Sequence, residues 1–220
     1  MKVILFGATG MVGQGVLREC LLDPEVEKVL TIGRSATGRH QAKLEEIVHE
    51  NFLDYSSIEG RLTGYEACFF CLGVSAVGRT EADYTHVAYG YTVAAAEALA
   101  RLNPQMTFQY VSGAGADSSE KGRVMWARVK GRTENALLRL PFKAAYMLRP
   151  GYIQPLHGIR SKTGWYQAMY TVMAPLYPLW NALVPNYVTT TEKLGRAMIA
   201  IAKNGAAKTI LENRDVNGIG

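Results

Sequence analysis

The sequence predicts an α/β protein in which helices cover both faces of one doubly wound parallel sheet, with a small C-terminal lobe. The chain has 220 residues, of which 48% are apolar, and this is enough for the core of one large domain. Short apolar runs alternate with helical patterns, an order typical of parallel sheets. A glycine-rich turn follows the first apolar run. The chain has 22 glycines in 220 residues, or one residue in ten, which exceeds the usual share of roughly 7%.

Each element follows from a local pattern. Apolar runs predict strands at residues 3–6, 29–32, 47–48, 69–72, 109–111 and 144–148. Helical spacing of apolar residues predicts helices at residues 11–22, 84–102 and about 124–140. Pro24 ends the first helix, and Thr189 or Thr190 is expected to cap a last helix that runs through Ala202, with Glu192 in its first turn. No repeat or linker divides residues 1–220, so we expect one domain.

Basic charge concentrates in the second half of the chain. Residues 1–115 carry 9 basic and 13 acidic side chains, whereas residues 116–220 carry 15 and 6. Between residues 121 and 162 the only acid is Glu134, against ten basic residues. Such a run suits cofactor phosphates, nucleic acid or an anionic membrane surface, and a solvated basic face is an equal alternative. Nucleic acid is the least supported of these partners, because aromatic residues are segregated from the run and no recognition motif occurs.

Three cysteines, Cys20, Cys68 and Cys71, give an odd count without an N-terminal signal peptide. This pattern favours a reducing compartment, so we expect a cytoplasmic protein. Cys68 and Cys71 have the spacing of a redox or zinc pair, but residues i and i+3 of a strand point to opposite faces. No second Cys/His pair completes a metal site. We therefore expect buried structural cysteines and no metal.

The turn after the first strand is a candidate phosphate-binding site. It opens the first helix, where backbone N–H groups and the positive end of the helix meet a dinucleotide pyrophosphate. The spacing is Gly-x-x-Gly-x-x-Gly, which differs from the Gly-x-Gly-x-x-Gly fingerprint, so the argument depends on the strand before it and the helix after it. The residues expected to contact a cofactor here are Gly7, Thr9, Gly10, Met11, Val12 and Gly13.

The end of the second strand indicates which dinucleotide binds. An acidic residue there would hold the ribose 2′-hydroxyl of NAD, whereas this chain has Gly33, Arg34 and Ser35. A small residue and a cation suit a 2′-phosphate. We therefore expect NADP rather than NAD, and the alternative is that Arg34 is an ordinary loop residue.

Several motifs together resemble the short-chain dehydrogenase/reductase superfamily, in particular its atypical or extended branch of NmrA-like and Tat-interacting-protein-like NADP-binding proteins. They are Gly7-Ala-Thr-Gly10-x-x-Gly13, Gly33-Arg34, Asn51-Phe-Leu-Asp54, Cys71-Leu-Gly73, Val111-Ser112, Lys130-Gly-x-x-Glu134 and Leu148-Arg-Pro-Gly151. The resemblance implies a Rossmann fold. It also implies that Asp54 meets the adenine, that Leu72 and Gly73 meet the adenosine ribose and phosphates, and that Pro150 and Gly151 lie at the nicotinamide end.

The resemblance further implies catalysis by a Tyr-x-x-x-Lys pair on one helix face, with a serine that orients a carbonyl. In this pair the lysine, here Lys130, also binds the nicotinamide ribose of the cofactor. Lys130 and Ser112 match, but Trp126 stands where the tyrosine is expected. An indole does not titrate in a useful range, so Trp126 can only line the site. Either another group, such as Tyr84, Tyr152, His157 or a water relay, supplies a proton, or none is needed, or the chain only binds NADP.

These observations predict an NADP-dependent oxidoreductase acting on a small hydrophobic or aromatic carbonyl compound. The alternative is a regulatory protein that senses NADP without turnover.

Residues 163–191 carry no formal charge. Three prolines, Pro175, Pro178 and Pro185, argue against a transmembrane helix in this segment. We expect residues 152–191 to form a substrate lid or a homodimer contact, with peripheral membrane docking or ordinary core packing as the alternatives.

Overall fold

A computed structural model describes residues 1–159 and 184–220. Its main sheet contains β1 (Lys2–Phe6), β2 (Lys28–Gly33), β3 (Leu44–Val48), β4 (Ala67–Phe70), β5 (Thr107–Val111), β6 (Ala144–Arg149) and β9 (Ile210–Glu212). These strands are all parallel and lie in the order β3-β2-β1-β4-β5-β6-β9. The predicted doubly wound α/β class is therefore confirmed. Two short strands, β7 (Tyr152–Gln154) and β8 (Val188–Thr190), form a separate parallel pair.

Helices cover both faces of the sheet. They are α1 (Met11–Leu22), α2 (Glu81–Thr85), α3 (Thr92–Leu102), α4 (Met125–Leu138), α5 (Thr191–Asn204) and α6 (Asn213–Ile219), with a π-helical turn, His86–Tyr91, joining α2 to α3. Buried side chains of α1 and α5 pack on one face, among them Leu17 and Met198. Side chains of α3 and α4 pack on the other, among them Leu99 and Leu137.

The cysteines take part in these two cores. Cys68 is buried on the α3 and α4 side of the sheet, whereas Cys71 packs with buried Cys20 on the α1 and α5 side. All three are free thiols, and burial raises the pKa of each. Within residues 1–159 and 184–220, no cluster of His, Cys, Asp and Glu has the arrangement of a metal site.

The C-terminal part both confirms and extends the sequence prediction. Thr190 caps α5 as expected, because its hydroxyl accepts a hydrogen bond of 3.0 Å from the Lys193 N–H. β9 and α6 were not predicted. Of the lobe expected over residues 152–191, residues 160–183 lie outside the described part of the chain. In the described part, no helix is long and apolar enough to cross a membrane.

Candidate nucleotide-binding site

A cleft of about 760 Å³ opens at the carboxyl ends of β1, β2 and β4. The connection after β1 runs through α1 on one face, and the connection after β4 runs through α3 on the other. Ligands of doubly wound sheets bind where the chain diverges in this way. The cleft is lined by residues 7–12 after β1, residues 31–35 and 37 around the end of β2, residues 71–75, 77 and 79 after β4, and Phe52 and Ile153.

The glycines of the first turn have two different roles. Gly7 has a φ of +77°, and a Cβ on it would lie 2.6 Å from the Leu72 nitrogen, so only glycine fits. A Cβ on Gly13 would lie 2.0 Å from the Gly7 oxygen, so Gly13 serves close packing of α1 beneath the turn. Gly10 is the N-cap of α1, whose first turn has no side-chain cap and no acidic residue. The first N–H groups of α1 therefore remain available for an anion.

The loop after β2 is held in place by Glu46 of β3. One carboxylate oxygen of Glu46 accepts hydrogen bonds from the Thr31 hydroxyl at 3.1 Å and from the Thr37 N–H at 2.8 Å. Arg34 lies in this loop, is exposed and lines the cleft. Arg79 lines it as well, and no aspartate or glutamate is among the lining residues. The described cleft is therefore electropositive and fits a phosphate-bearing dinucleotide.

Most of the residues predicted to contact a cofactor line this cleft. They are Gly7, Thr9, Gly10, Met11, Val12, Gly33, Arg34, Ser35, Leu72 and Gly73. The structure gives Asp54 a different environment: its exposed carboxylate accepts a hydrogen bond of 2.9 Å from the Ser56 N–H, which lowers its pKa. Gly151 also has a packing role, because a Cβ there would lie 2.3 Å from the Tyr187 oxygen. Its neighbour Pro150 accepts a hydrogen bond from the Ala114 N–H at 2.9 Å.

A second group of predicted residues lies beside the cleft. Trp126 of α4 packs in a cluster with Tyr84, Val129 and Val74, and Val74 also lines the cleft. Ser112 follows β5, and its backbone N–H donates to the Leu148 oxygen at 2.7 Å. The Ser112 hydroxyl oxygen is buried and has no hydrogen-bond partner among the described residues. A buried hydroxyl in this state is suited to a ligand.

Lys130 has a partner that the sequence did not indicate. Its ammonium group donates to the Tyr110 hydroxyl at 2.8 Å and to the Val111 oxygen at 3.3 Å. Burial lowers the pKa of Lys130 to about 8, and the opposing effect of Glu134 is smaller. Burial likewise raises the pKa of Tyr110. A tyrosine of β5 thus contacts the lysine that pairs with a helix tyrosine in the resembled family.

The motif Lys130-Gly-x-x-Glu134 positions the loop after β5. A Cβ on Gly131 would lie 1.7 Å from the Asp117 oxygen, so glycine lets the loop rest on α4. Glu134 is fully buried, and its carboxylate accepts a hydrogen bond of 3.0 Å from Arg149 Nε. Arg149 Nη2 then donates to the Ser118 hydroxyl at 2.6 Å. These contacts fix the segment that begins at Ser112.

The three alternative proton donors have different surroundings. Tyr84 is buried in the Trp126 cluster. The Tyr152 hydroxyl donates to Gln154 Oε1 at 2.8 Å, and the His157 ring contacts the Glu192 carboxylate at 2.5 Å. Tyr84 therefore shares a cluster with Trp126, one of the predicted catalytic residues, whereas the Glu192 carboxylate that contacts His157 lies on α5.

Comparisons with known proteins relate the chain to fungal proteins. No family model matches it. It is 34% identical over 158 residues to "Protein fmp52-1, mitochondrial" of Aspergillus terreus, which covers 69% of this chain and 66% of that protein. It is 33% identical over 145 residues to "Leucinostatins biosynthesis cluster protein T" of Purpureocillium lilacinum, with coverage of 64% and 52%. The matches thus span slightly less than two thirds of the first relative and about half of the second.

Solved structures share the fold at low identity. DesIV, a dTDP-glucose 4,6-dehydratase from Streptomyces venezuelae solved with NAD, matches with a TM-score of 0.69 at 16% identity over 100% of this chain and 80% of that one. A short-chain dehydrogenase family protein from Francisella tularensis matches with a TM-score of 0.68 at 10% identity over 96% and 95%. The chain therefore has the doubly wound α/β fold of these structures, as its resemblance to the short-chain dehydrogenase/reductase superfamily implied. Over 69% of its length the chain is similar to the fungal fmp52 proteins.

The comparisons overturn one expectation. The cysteine count and the start of the sequence predicted a cytoplasmic protein, but the fmp52 relatives are named as mitochondrial proteins. The prediction was wrong because few cysteines and a reducing environment do not distinguish the cytosol from other compartments without disulfides.

Proposed function

We propose that the chain binds NADP(H) in preference to NAD(H). The observation that carries this proposal is the charge of the cleft, which is lined by Arg34 and Arg79 and by no described carboxylate. An arginine at the end of β2 offers paired N–H donors to a 2′-phosphate. Glu46, the carboxylate behind that loop, is engaged by Thr31 and Thr37. Its oxygen therefore supports the loop that presents Arg34.

Fragments of the cofactor test this preference at the adenosine end. The wild-type protein is expected to bind 2′,5′-ADP at least about tenfold more tightly than ADP, equivalent to about 1.4 kcal/mol. Arg34→Ala is expected to remove most of that difference. Arg139→Ala is the matched control, because Arg139 is an exposed arginine at the C-terminal end of α4. Equal affinities for the two fragments in the wild-type protein would contradict the proposal.

The chemistry that we propose is the reduction of a small hydrophobic carbonyl compound. A bound nicotinamide cofactor would supply the hydride to the carbonyl carbon, and water would supply the proton that the carbonyl oxygen takes up. The Ser112 hydroxyl, which has no partner among the described residues, is suited to donate a hydrogen bond to the carbonyl oxygen. Trp126 packs in one cluster with Val74, which lines the cleft, and is suited to form an apolar wall of the site. Lys130 keeps a positive charge near the end of β5 below about pH 8, since burial lowers its pKa to about 8.

NADPH oxidation across a panel of aliphatic and aromatic aldehydes and ketones tests the activity. Ser112→Ala is expected to lower kcat/KM by about two orders of magnitude, because it removes the donor to the developing oxyanion. Trp126→Tyr restores a tyrosine four residues before Lys130 and is expected to increase turnover. Turnover that is unaffected by Ser112→Ala would contradict the proposed role of the serine.

A second function is favoured by the contacts of Lys130. Its ammonium group is held by the Tyr110 hydroxyl and the Val111 oxygen, and both partners belong to β5. In this alternative the chain senses NADP(H) without turning it over. It predicts tight NADPH binding, no turnover with any carbonyl compound, and partner binding that changes when NADPH is added.

A further inference from the structure

Arg79 lies on the side of the glycine turn opposite Arg34. In the sheet order, β1 lies between β2 and β4. Arg34 follows β2, whereas Arg79 belongs to the loop that follows β4, and both side chains line the same cleft. The two arginines therefore flank the turn at which a dinucleotide's phosphates would meet the N-terminus of α1.

The loop that carries Arg79 has an ordered backbone. The Arg79 N–H donates to the Ala76 oxygen at 3.2 Å, and the Val77 N–H donates to the Ser75 hydroxyl at 3.2 Å. Gly78 has a φ of +74°, a conformation that favours glycine. Arg79 Nε donates to the Ser75 oxygen at 3.2 Å, and this bond directs the guanidinium while its terminal nitrogens remain for a ligand.

Neighbouring carboxylates are engaged elsewhere. Glu81 forms an ion pair of 2.7 Å with Arg128, and Asp83 accepts a hydrogen bond of 2.7 Å from the Thr80 hydroxyl. Among residues 1–159 and 184–220, Arg79 forms no ion pair with a carboxylate. Two arginines in one cleft without an acid repel each other, and an anion between them relieves that repulsion.

We propose that Arg79 is a second phosphate-binding residue of the cleft, which contacts the phosphates of the dinucleotide from the β4 side while Arg34 contacts them from the β2 side. This inference rests on the proposed function. The phosphate in question is either the pyrophosphate, which NADPH and NADH share, or the 2′-phosphate, which only NADPH has. Arg79 thus adds either to overall affinity or to cofactor preference.

Calorimetric titrations with NADPH and NADH test the proposal on the wild-type protein, Arg79→Ala, Arg79→Lys and the Arg139→Ala control. Arg79→Ala is expected to weaken NADPH binding at least about fivefold, a loss of about 1 kcal/mol. Arg79→Lys keeps the charge but loses the planar fork, so an intermediate affinity is expected. Arg139→Ala is expected to match the wild-type affinity.

A comparison of the affinities for NADPH and NADH shows which phosphate Arg79 contacts. An equal loss for NADPH and NADH assigns Arg79 to the pyrophosphate, and a loss for NADPH alone assigns it to the 2′-phosphate. Wild-type affinity of Arg79→Ala for both nucleotides would overturn the inference and leave the proposed function standing. A wild-type protein that binds neither nucleotide would overturn the proposed function itself. Arg79 is exposed, so folding of its variants is expected to be unaffected, and circular dichroism checks this.

Discussion

Lys130 illustrates at the residue scale how burial creates a pH-dependent stability. Its ordinary pKa of 10.5 falls to about 8 in the folded protein because its ammonium group is desolvated. Between these two values the unfolded chain binds a proton that the folded protein does not. The free energy of unfolding therefore rises with pH across this window, and below about pH 8 the folded state bears the full cost of the buried charge.

Urea unfolding of the wild-type protein and Lys130→Met between about pH 7 and pH 10 tests this sign. The wild-type free energy of unfolding is expected to rise relative to that of the variant by roughly 2–3 kcal/mol. Because the wild-type protein and the variant are compared at each pH, the contributions of the tyrosines, the remaining lysines and the thiols cancel. A constant difference between the two proteins over the whole range would show that Lys130 is not desolvated.

Gly131 is the residue whose replacement is expected to disturb the Ser112 segment. A Cβ at this position would lie 1.7 Å from the Asp117 oxygen, so the backbone itself must move. Gly131→Ala is expected to lower the free energy of unfolding by about 2–3 kcal/mol. Gly60→Ala, where a Cβ meets no atom within 4 Å, is expected to change it by less than about 0.5 kcal/mol. Equal effects of the two substitutions in chemical denaturation would contradict this account.

Some residues of the site could be predicted from the sequence and others could not. Arg34 was predictable because it directly follows a strand whose end has a known role. Arg79 is 45 positions further along in a loop, and only the sheet order brings it to the same cleft. For Tyr110 the sequence predicts only a place in a strand. The alternation of β5 that places Tyr110 and Ser112 on one face was a signal that could have identified it.

Among the elements, α5 begins at a cap that the sequence predicted. The hydroxyl of Thr190 accepts a hydrogen bond from the Lys193 N–H at 3.0 Å. Thr190→Val keeps the side-chain shape but removes the acceptor, so it is expected to cost about 1 kcal/mol of stability. Thr190→Ser keeps the acceptor and is expected to cost less. Thermal or urea unfolding measures both variants, and a larger loss for serine than for valine would contradict the assigned cap.

The helices and strands that the sequence predicts correctly are those with a strong local pattern of apolar residues. The six predicted strands and α1 were confirmed because a short apolar run or a helical repeat marks each of them in the sequence. β9 has only three residues, of which only Leu211 is buried, and it becomes a strand by pairing with β6. The π-helical turn between α2 and α3 was missed because the surrounding sequence has an uninterrupted helical pattern. Whether such short segments form a strand or a π-helical turn depends on their tertiary contacts.

For the whole molecule, the sheet order joins separate segments into one binding cleft. The glycine turn follows β1, the Arg34 loop follows β2 and the Arg79 loop follows β4, and these three strands are adjacent in the sheet. The Ser112, Trp126 and Lys130 group lies next to it because β5 pairs with β4. The fold and the position of the cleft were therefore predictable from the sequence, whereas the contacts within the cleft depend on loops.

This cleft is proposed to bind NADP(H). Calorimetric titration of the wild-type protein with NADPH, and separately with NADH, tests it most directly. We expect one NADPH per chain, bound at least about tenfold more tightly than NADH. Binding of neither nucleotide would contradict the account, since the glycine turn would then serve only the packing of α1. Tighter binding of NADH would contradict the role given to Arg34.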